Sequence, residues 1–328
     1  MEQTSTVLET PVSVPTLAFK GKGSELFGIQ IVNILLMMVT LGLYYPWAKA
    51  KNLQYIYRKT ELADSPFTFH GTGKEMFIGF IKGIGIIAAL WGVLLYGTYR
   101  GNAGHIGIYI ACLATFVVGI MTLIPIALHG MMRYRSSRTS WRGIHMGYRG
   151  TLGNMFKVYF KNLLLTLVTF GIYGAWFTVN VRKEIFGNLR FGNARFSFTG
   201  EGSELFVLHI KGYLLSVLTL GVYLFWYAKD LTNFYINNIL IEQDGKYSRL
   251  DSELTGMQYL TLTVGNIFIM VFTLGLGYAW VVTRTMSTII NNCELIGEFN
   301  PDELAQTEGE YKNATYDDMA DMLDIGIV

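Results

Sequence analysis

Phe198-Thr199-Gly200-Glu201-Gly202-Ser203-Glu204-Leu205-Phe206 is a stretch that this chain uses more than once. Phe19-Lys20-Gly21-Lys22-Gly23-Ser24-Glu25-Leu26-Phe27 and Phe69-His70-Gly71-Thr72-Gly73-Lys74-Glu75-Met76-Phe77 repeat it closely, and Tyr148-Arg149-Gly150-Thr151-Leu152-Gly153-Asn154-Met155-Phe156 repeats it loosely. A hydrophobic run follows each opening. It usually closes on Thr-Leu-Gly-x-Tyr-x-x-Trp or a near variant, at Thr40–Trp47, Thr169–Trp176, Thr219–Trp226 and Thr273–Trp280. Similarity at a fixed spacing is the mark of an array or an internally symmetric fold, and in membrane-like sequence it points to an internally repeated membrane protein.

The register of the repeat can be read residue by residue. A shift of 129 positions superposes Phe19, Gly21, Phe27, Asn33, Thr40, Gly42 and Trp47 on Tyr148, Gly150, Phe156, Asn162, Thr169, Gly171 and Trp176. A shift of 50 relates Phe19 to Phe69 and Tyr148 to Phe198. The unit opening at Phe69 is longer and reads as carrying an inserted span within 77–128. A worn fifth unit keeps Thr273, Gly275 and Trp280, with Leu254-Thr255-Gly256 as the remnant of its opening. The expected organisation is a polar tail over 1–18, an integral membrane repeat domain over 19–293 (halves 19–147 and 148–293), and an acidic tail over 294–328.

The chain has 328 residues, 51% hydrophobic and only 15% charged, where soluble domains carry about 25% charge. Six apolar runs are each long enough to suggest a crossing of about 20 residues: Leu26–Tyr45, Met76–Thr98, Ile106–Leu128, Met155–Trp176, Leu205–Trp226 and Leu260–Val282. The expected fold class is therefore mainly α: a polytopic α-helical membrane protein built from repeats of about 50 residues, with short strands or turns before the helices. Alternation in Phe67-Thr68-Phe69-His70 suits such a strand, and Ser24 or Ser203 suits a helix cap. No cleavable leader is read in Met1–Pro15, which lacks a basic start and an apolar core.

Net charge is +2, but it is unevenly spread. Between Met76 and Lys183 there is no Asp or Glu, whereas acids dominate from Glu294 onward. A basic body flanking apolar runs fits contact with an anionic bilayer face better than nucleic-acid binding. The expected partner is the lipid bilayer with its anionic headgroups; no nucleic acid is expected. If each unit crosses once, matching motifs alternate between sides. If each apolar helix pairs with the polar helix after it, all openings share one side, and Lys49, Lys51 and Arg182 must face protein or water at depth.

The polar residues of the apolar runs are the site candidates. Lys82, Lys161 and Lys211 hold one repeat position, where snorkelling to headgroups competes with a cation ring that grips phosphate. Glu25, Glu75 and Glu204 precede the opening Phe by two residues and favour the positive helix end; the alternative is a repeated proton or cation site. His209 is a core residue or a relay. The glycines Gly21, Gly23, Gly71, Gly73, Gly200 and Gly202 read as a turn into a helix, without the third glycine of a dinucleotide loop. Gly42, Trp47, Gly171, Trp176, Gly221, Trp226, Gly275 and Trp280 read as architectural. No catalytic motif, metal spacing or cofactor motif is evident, so no enzyme, metal or cofactor is expected. Cys112 and Cys293 suggest no disulfide framework.

The opening Phe-x-Gly-x-Gly-x-Glu-Leu-Phe, the closing Thr40–Lys49 and the segment Phe67–Gly73 together resemble the YjgN-like family, over roughly Phe19 to Cys293. The resemblance implies a multi-pass protein of the bacterial inner membrane and brings no activity or site residues. Two function classes follow. One is a solute, ion or lipid pathway, which needs Lys82, Lys211, Glu75 and Glu204 to converge on one cavity. The other is a non-transporting membrane scaffold or lipid-binding protein.

Overall fold

The structure, a computed structural model, describes residues 15–307; the outer parts of both expected tails, 1–14 and 308–328, lie outside the described residues. The chain folds as five successive strand–helix–helix–strand units. The first is β1 (Leu17–Phe19), α1 (Gly23–Val39), α2 (Tyr45–Lys59) and β2 (Thr60–Leu62). The second is β3 (Ser65–Phe69), α3 (Gly73–Asn102), α4 (Ile106–Ser137) and β4 (Thr139–Trp141). The third is β5 (Ile144–Tyr148), α5 (Leu152–Val168), α6 (Gly174–Gly187) and β6 (Leu189–Phe191). The fourth is β7 (Ala194–Phe198), α7 (Gly202–Leu218), α8 (Leu224–Asn237) and β8 (Ile239–Gln243). The fifth is β9 (Lys246–Ser252), α9 (Gly256–Phe272), α10 (Tyr278–Ile290) and β10 (Cys293–Gly297).

This corrects the expected fold class. The protein is not a plain polytopic helical bundle. Its ten strands form one antiparallel sheet in chain order, β1 to β10, and the sheet nearly closes, because β1 lies against β10. The Asn291 side chain bridges the gap, accepting from the Phe19 amide at 2.7 Å. Among the described residues, only α3 and α4 are long and apolar enough to cross a membrane. Several closing strands are just three residues long, too short for alternation to reveal.

Within a unit the opening strand pairs with the closing one, as Phe69 with Thr139, Tyr148 with Leu189 and Phe198 with Ile239. Consecutive units join through tight hairpins. Ala63-Asp64, Arg142-Gly143 and Asp244-Gly245 all have positive φ at both central positions, the turn whose twist matches paired strands. The sheet curls round a shared core of Leu62, Trp141, Phe191, Ile241 and Leu295, into which Phe299 and Leu304 are packed from beyond the last strand. Trp141 is 1% exposed, and its indole donates to the carbonyls of Leu62 and Ser65.

Every helical hairpin starts and ends at the sheet, so all five openings share one end of the molecule. The closing Thr-x-Gly is the hairpin turn. Leu41 and Gly42, Phe170 and Gly171, Leu220 and Gly221, and Leu274 and Gly275 all take the left-handed conformation. The Thr hydroxyl accepts the amide four residues on, at 3.0 Å from Tyr44, 3.0 Å from Tyr173, 2.9 Å from Tyr223 and 2.7 Å from Gly277. Helix starts differ from the serine caps expected. α1 and α7 begin before Ser24 and Ser203 and have no side-chain cap, whereas Thr72 and Thr255 form capping boxes with Glu75 and Gln258.

The opening glycines each have a packing reason. A methyl on Gly21, Gly71 or Gly200 would fall 2.4, 2.5 or 2.7 Å from the ring of Phe19, Phe69 or Phe198, the aromatic two residues earlier. The second glycine is the seat of a tryptophan from the preceding unit. A methyl on Gly23, Gly73, Gly202 or Gly256 would lie 2.3 Å from Trp280, Trp47, Trp176 or Trp226 respectively. The Trp280 contact joins the fifth unit to the first. At the remaining junction, between units two and three, Ile126 and Leu152 hold the tryptophan and glycine positions.

Each tryptophan stands near the outer end of its hairpin, yet its seat is the first residue of the next opening helix. Each short hairpin therefore leans along the ring toward its neighbour. Trp176→Ala is expected to cost about 3–5 kcal/mol, as large-to-small core changes do, in thermal or denaturant unfolding of the detergent-solubilised protein. Gly202→Leu is expected to be comparably damaging. The pair Trp176→Ile with Gly202→Leu should recover part of the combined loss, because it copies the Ile126/Leu152 junction; a strictly additive loss would sink this view of the seam.

Candidate functional site

Two of the three repeated glutamates, Glu25 and Glu75, are held from the C-terminal end of their own unit's return helix. Glu25 Oε2 lies 2.8 Å from Lys59 Nζ and accepts from the Tyr55 hydroxyl at 3.1 Å. Glu75 does the same with greater burial: Arg138 lies 3.2 Å from Oε1, and Oε2 accepts from the Tyr134 hydroxyl at 3.0 Å and the Thr72 amide at 3.1 Å. Tyr55 and Tyr134, like Lys59 and Arg138, are matching positions of two units. The pairing was invisible in sequence because the tyrosine partners sit 30 and 59 positions away.

Glu204 has no such clamp, since Phe234 and Asn238 hold the matching positions. It borders an open groove of about 720 Å³ between α7 and α8, together with Lys211, Asp230, Asn233 and Asn237. His209 faces the same helix pair, with Nδ1 2.5 Å from the Tyr227 hydroxyl, and Tyr227 packs on Gly212. Lys161 is exposed on α5. Lys82 is half-buried in α3 and engaged. The four residues that a shared pathway needs do not meet: Glu204 and Lys211 border the groove in unit four, and Glu75 borders a different recess in unit two.

That second recess, about 290 Å³, lies where α2 meets the foot of the α3/α4 hairpin. Its walls are apolar, from Tyr45, Met76, Phe80 and Met131, and Lys49 and Arg135 border it. On the neighbouring face of α2, Lys51, Gln54, Tyr55 and Arg58 line a recess of about 370 Å³ with Thr68. α2 carries Lys49, Lys51, Arg58 and Lys59 and no acid. That imbalance was the available signal; Lys49 and Lys51 stood out in the sequence only as charges at awkward depth. Arg182, the third such charge, stacks over the Tyr235 ring at 3.7 Å.

At the sheet, His70 and His145 bring their rings within 5.6 Å, and His70 Nε2 lies 2.7 Å from the Ser140 hydroxyl. Burial, then His70 and Arg138, hold the His145 imidazole below its ordinary pKa. Among the described residues no third ligating side chain joins such a cluster.

A ring of apolar hairpins raised on a small antiparallel sheet, with basic recesses at the hairpin feet, defines an internally repeated protein of membrane type. The chain belongs to the bacterial family of unknown function DUF898, whose profile matches residues 14–198, 193–247 and 227–322. Its relatives include the inner membrane protein YjgN of Salmonella typhimurium LT2, 29% identical over 177 residues, which are 50% of this chain and 42% of the relative. The proteins of that name from Escherichia coli K12 and O157:H7 are 26% and 28% identical over 163 residues, 50% of this chain and 38% of each relative. The matches thus span about two fifths of the length of these relatives. No solved structure matches the chain.

Arg138→Met would leave Glu75 without its cation at the foot of the long hairpin. The expected loss is about 1–3 kcal/mol, below the range for fully buried pairs because both side chains keep some solvent contact. Chemical denaturation in detergent reads it, and adding Glu75→Gln should relieve part of the loss.

Proposed function

We propose that the protein is a lipid-binding platform of the bacterial inner membrane, spanning the bilayer with one hairpin and dipping four others into a single leaflet. The name shared by its relatives supports the location. The observation that carries the rest is the chemistry of the hairpin tips. Leu41, Phe170, Leu220 and Leu274 are 94%, 98%, 95% and 92% exposed, among further exposed apolar residues. Water is a poor solvent for four such tips together.

Length separates the two kinds of hairpin. α1, α5, α7 and α9 have 17 residues each, about 25 Å at 1.5 Å per residue, and they lean. A hydrocarbon core is about 30 Å thick. α3 and α4 have 30 and 32 residues, about 45 Å or more, and the tip they form, from Arg100 and Asn102 at the end of α3 to His105 before α4, carries polar residues. A polar tip belongs in water beyond the far face, and an apolar tip belongs inside. Backbone ends at that depth keep their hydrogen bonds through the Thr-x-Gly turn, as a lipid environment demands. The dispersal of Glu75, Glu204 and Lys211 over separate recesses favours binding over passage.

Single cysteines test this embedding in cells, with Cys112 replaced and Cys293 left in place, since its thiol is buried and raised to about 11. His105→Cys and Lys246→Cys should react with a membrane-impermeant maleimide from opposite faces. Leu41→Cys, Phe170→Cys, Leu220→Cys and Leu274→Cys should react from neither face and be quenched by a lipid-borne quencher. Labelling of any short tip from the His105 side would overturn the reading.

A further inference from the structure

We infer that the recess between α2 and the foot of the α3/α4 hairpin binds one anionic phospholipid, with its phosphate between Lys49 and Arg135 and its upper acyl chain on the apolar wall. The inference rests on the membrane reading above and names the ligand class of one site within it.

The first support is where the repeat is broken. The position of Lys49 is held by Leu128, Thr178, Ala228 and Val282 in the other units. The position of Arg135 is held by Ile56, Ile185, Tyr235 and Ile289. Each cation is thus the exception at its own position, and the two exceptions border the same recess. The shared scaffold does not need them, since four units do without each.

The second support is charge. Lys49 is half-buried, its ammonium 5.9 Å over the Tyr45 ring. Arg135 is half-buried too, and among the described residues neither cation is paired with a carboxylate. The one acid on the recess, Glu75, is already satisfied by Arg138, Tyr134 and Thr72. Two uncompensated cations bordering one recess favour a ligand that brings a negative charge.

The third support is shape and depth. A volume of about 290 Å³ admits a phosphate with part of its glycerol and chain, not a whole lipid. Phe80 and Gly79 lie about 10 Å along α3 from its start at the sheet, near where a headgroup gives way to hydrocarbon. A free phosphate would satisfy the cations and leave the walls of Met76, Phe80 and Met131 wet, so the lipid is the better fit.

Native mass spectrometry of the full chain in mild detergent tests this. Phosphatidylglycerol should be retained over phosphatidylcholine, and Lys49→Gln with Arg135→Gln should lower retention about tenfold or more. Lys49→Arg with Arg135→Lys should keep it, and Lys211→Gln, in the other groove, should not change it. Equal retention of phosphatidylcholine, or no effect of the glutamine pair, would overturn the site. Displacement of the lipid by millimolar inorganic phosphate would assign the cations to a free anion instead and overturn it as well. If the short tips stay protected while the glutamine pair retains lipid normally, this site alone falls and the platform reading stands.

Discussion

The tryptophan seated on the first residue of the neighbouring helix is the contact on which the architecture turns. An indole buries some 150–250 Å², and only a residue without a side chain lets it approach the backbone so closely. At four of the five junctions one unit offers a tryptophan and its neighbour a glycine, a head-to-tail contact that makes a ring when the rotation per step closes. Five steps of about 72° suffice, and the contact of Trp280 with Gly23 completes the circuit. The junction between units two and three trades the large and small residues for Ile126 and Leu152. That junction is also where the long hairpin departs from the pattern.

Seam geometry and membrane behaviour are linked. Because the tryptophan sits near the outer end of its hairpin and its seat at the inner end of the next, the short hairpins cannot stand upright. In the proposed embedding their reach along the bilayer normal would be less than their length, and even that length is short of a hydrocarbon core. The long hairpin escapes because its extra turns lie beyond the seam.

Much of the order along the chain was legible. The 129- and 50-residue shifts place Gly42, Gly171 and Gly221 in equivalent turns, the worn fifth unit supplies Gly275 in the same turn, and Leu254-Thr255-Gly256 does mark the start of α9, with Gly256 as the seat of Trp226. The sheet was not legible, because strands such as Thr60–Leu62 or Leu189–Phe191 are too short to show a period. The apolar runs were overread as crossings for a related reason: composition records that Met155–Trp176 is greasy, not that Thr169-Phe170-Gly171 folds it back on itself. The tryptophans read as architectural from the repeat alone, while their partners are set by the ring. Among the site candidates, Glu25 and Glu75 found partners set by hairpin packing, and the cations Lys49 and Arg135 emerge only when α2 is laid against α4.

Closure of the ring has a consequence for the order of assembly. Four junctions join neighbours in sequence and can form while the chain is still being made, each adding local contacts at small entropic cost. The last joins Phe19 to Asn291, a separation of 272 residues. Until α10 and β10 arrive, the outer edge of β1 lacks its Asn291 bridge and Gly23 its Trp280 cover, both open to a wrong neighbour. Packing of the four earlier hairpins would therefore precede completion of the sheet, and the first unit would wait longest for its final partner.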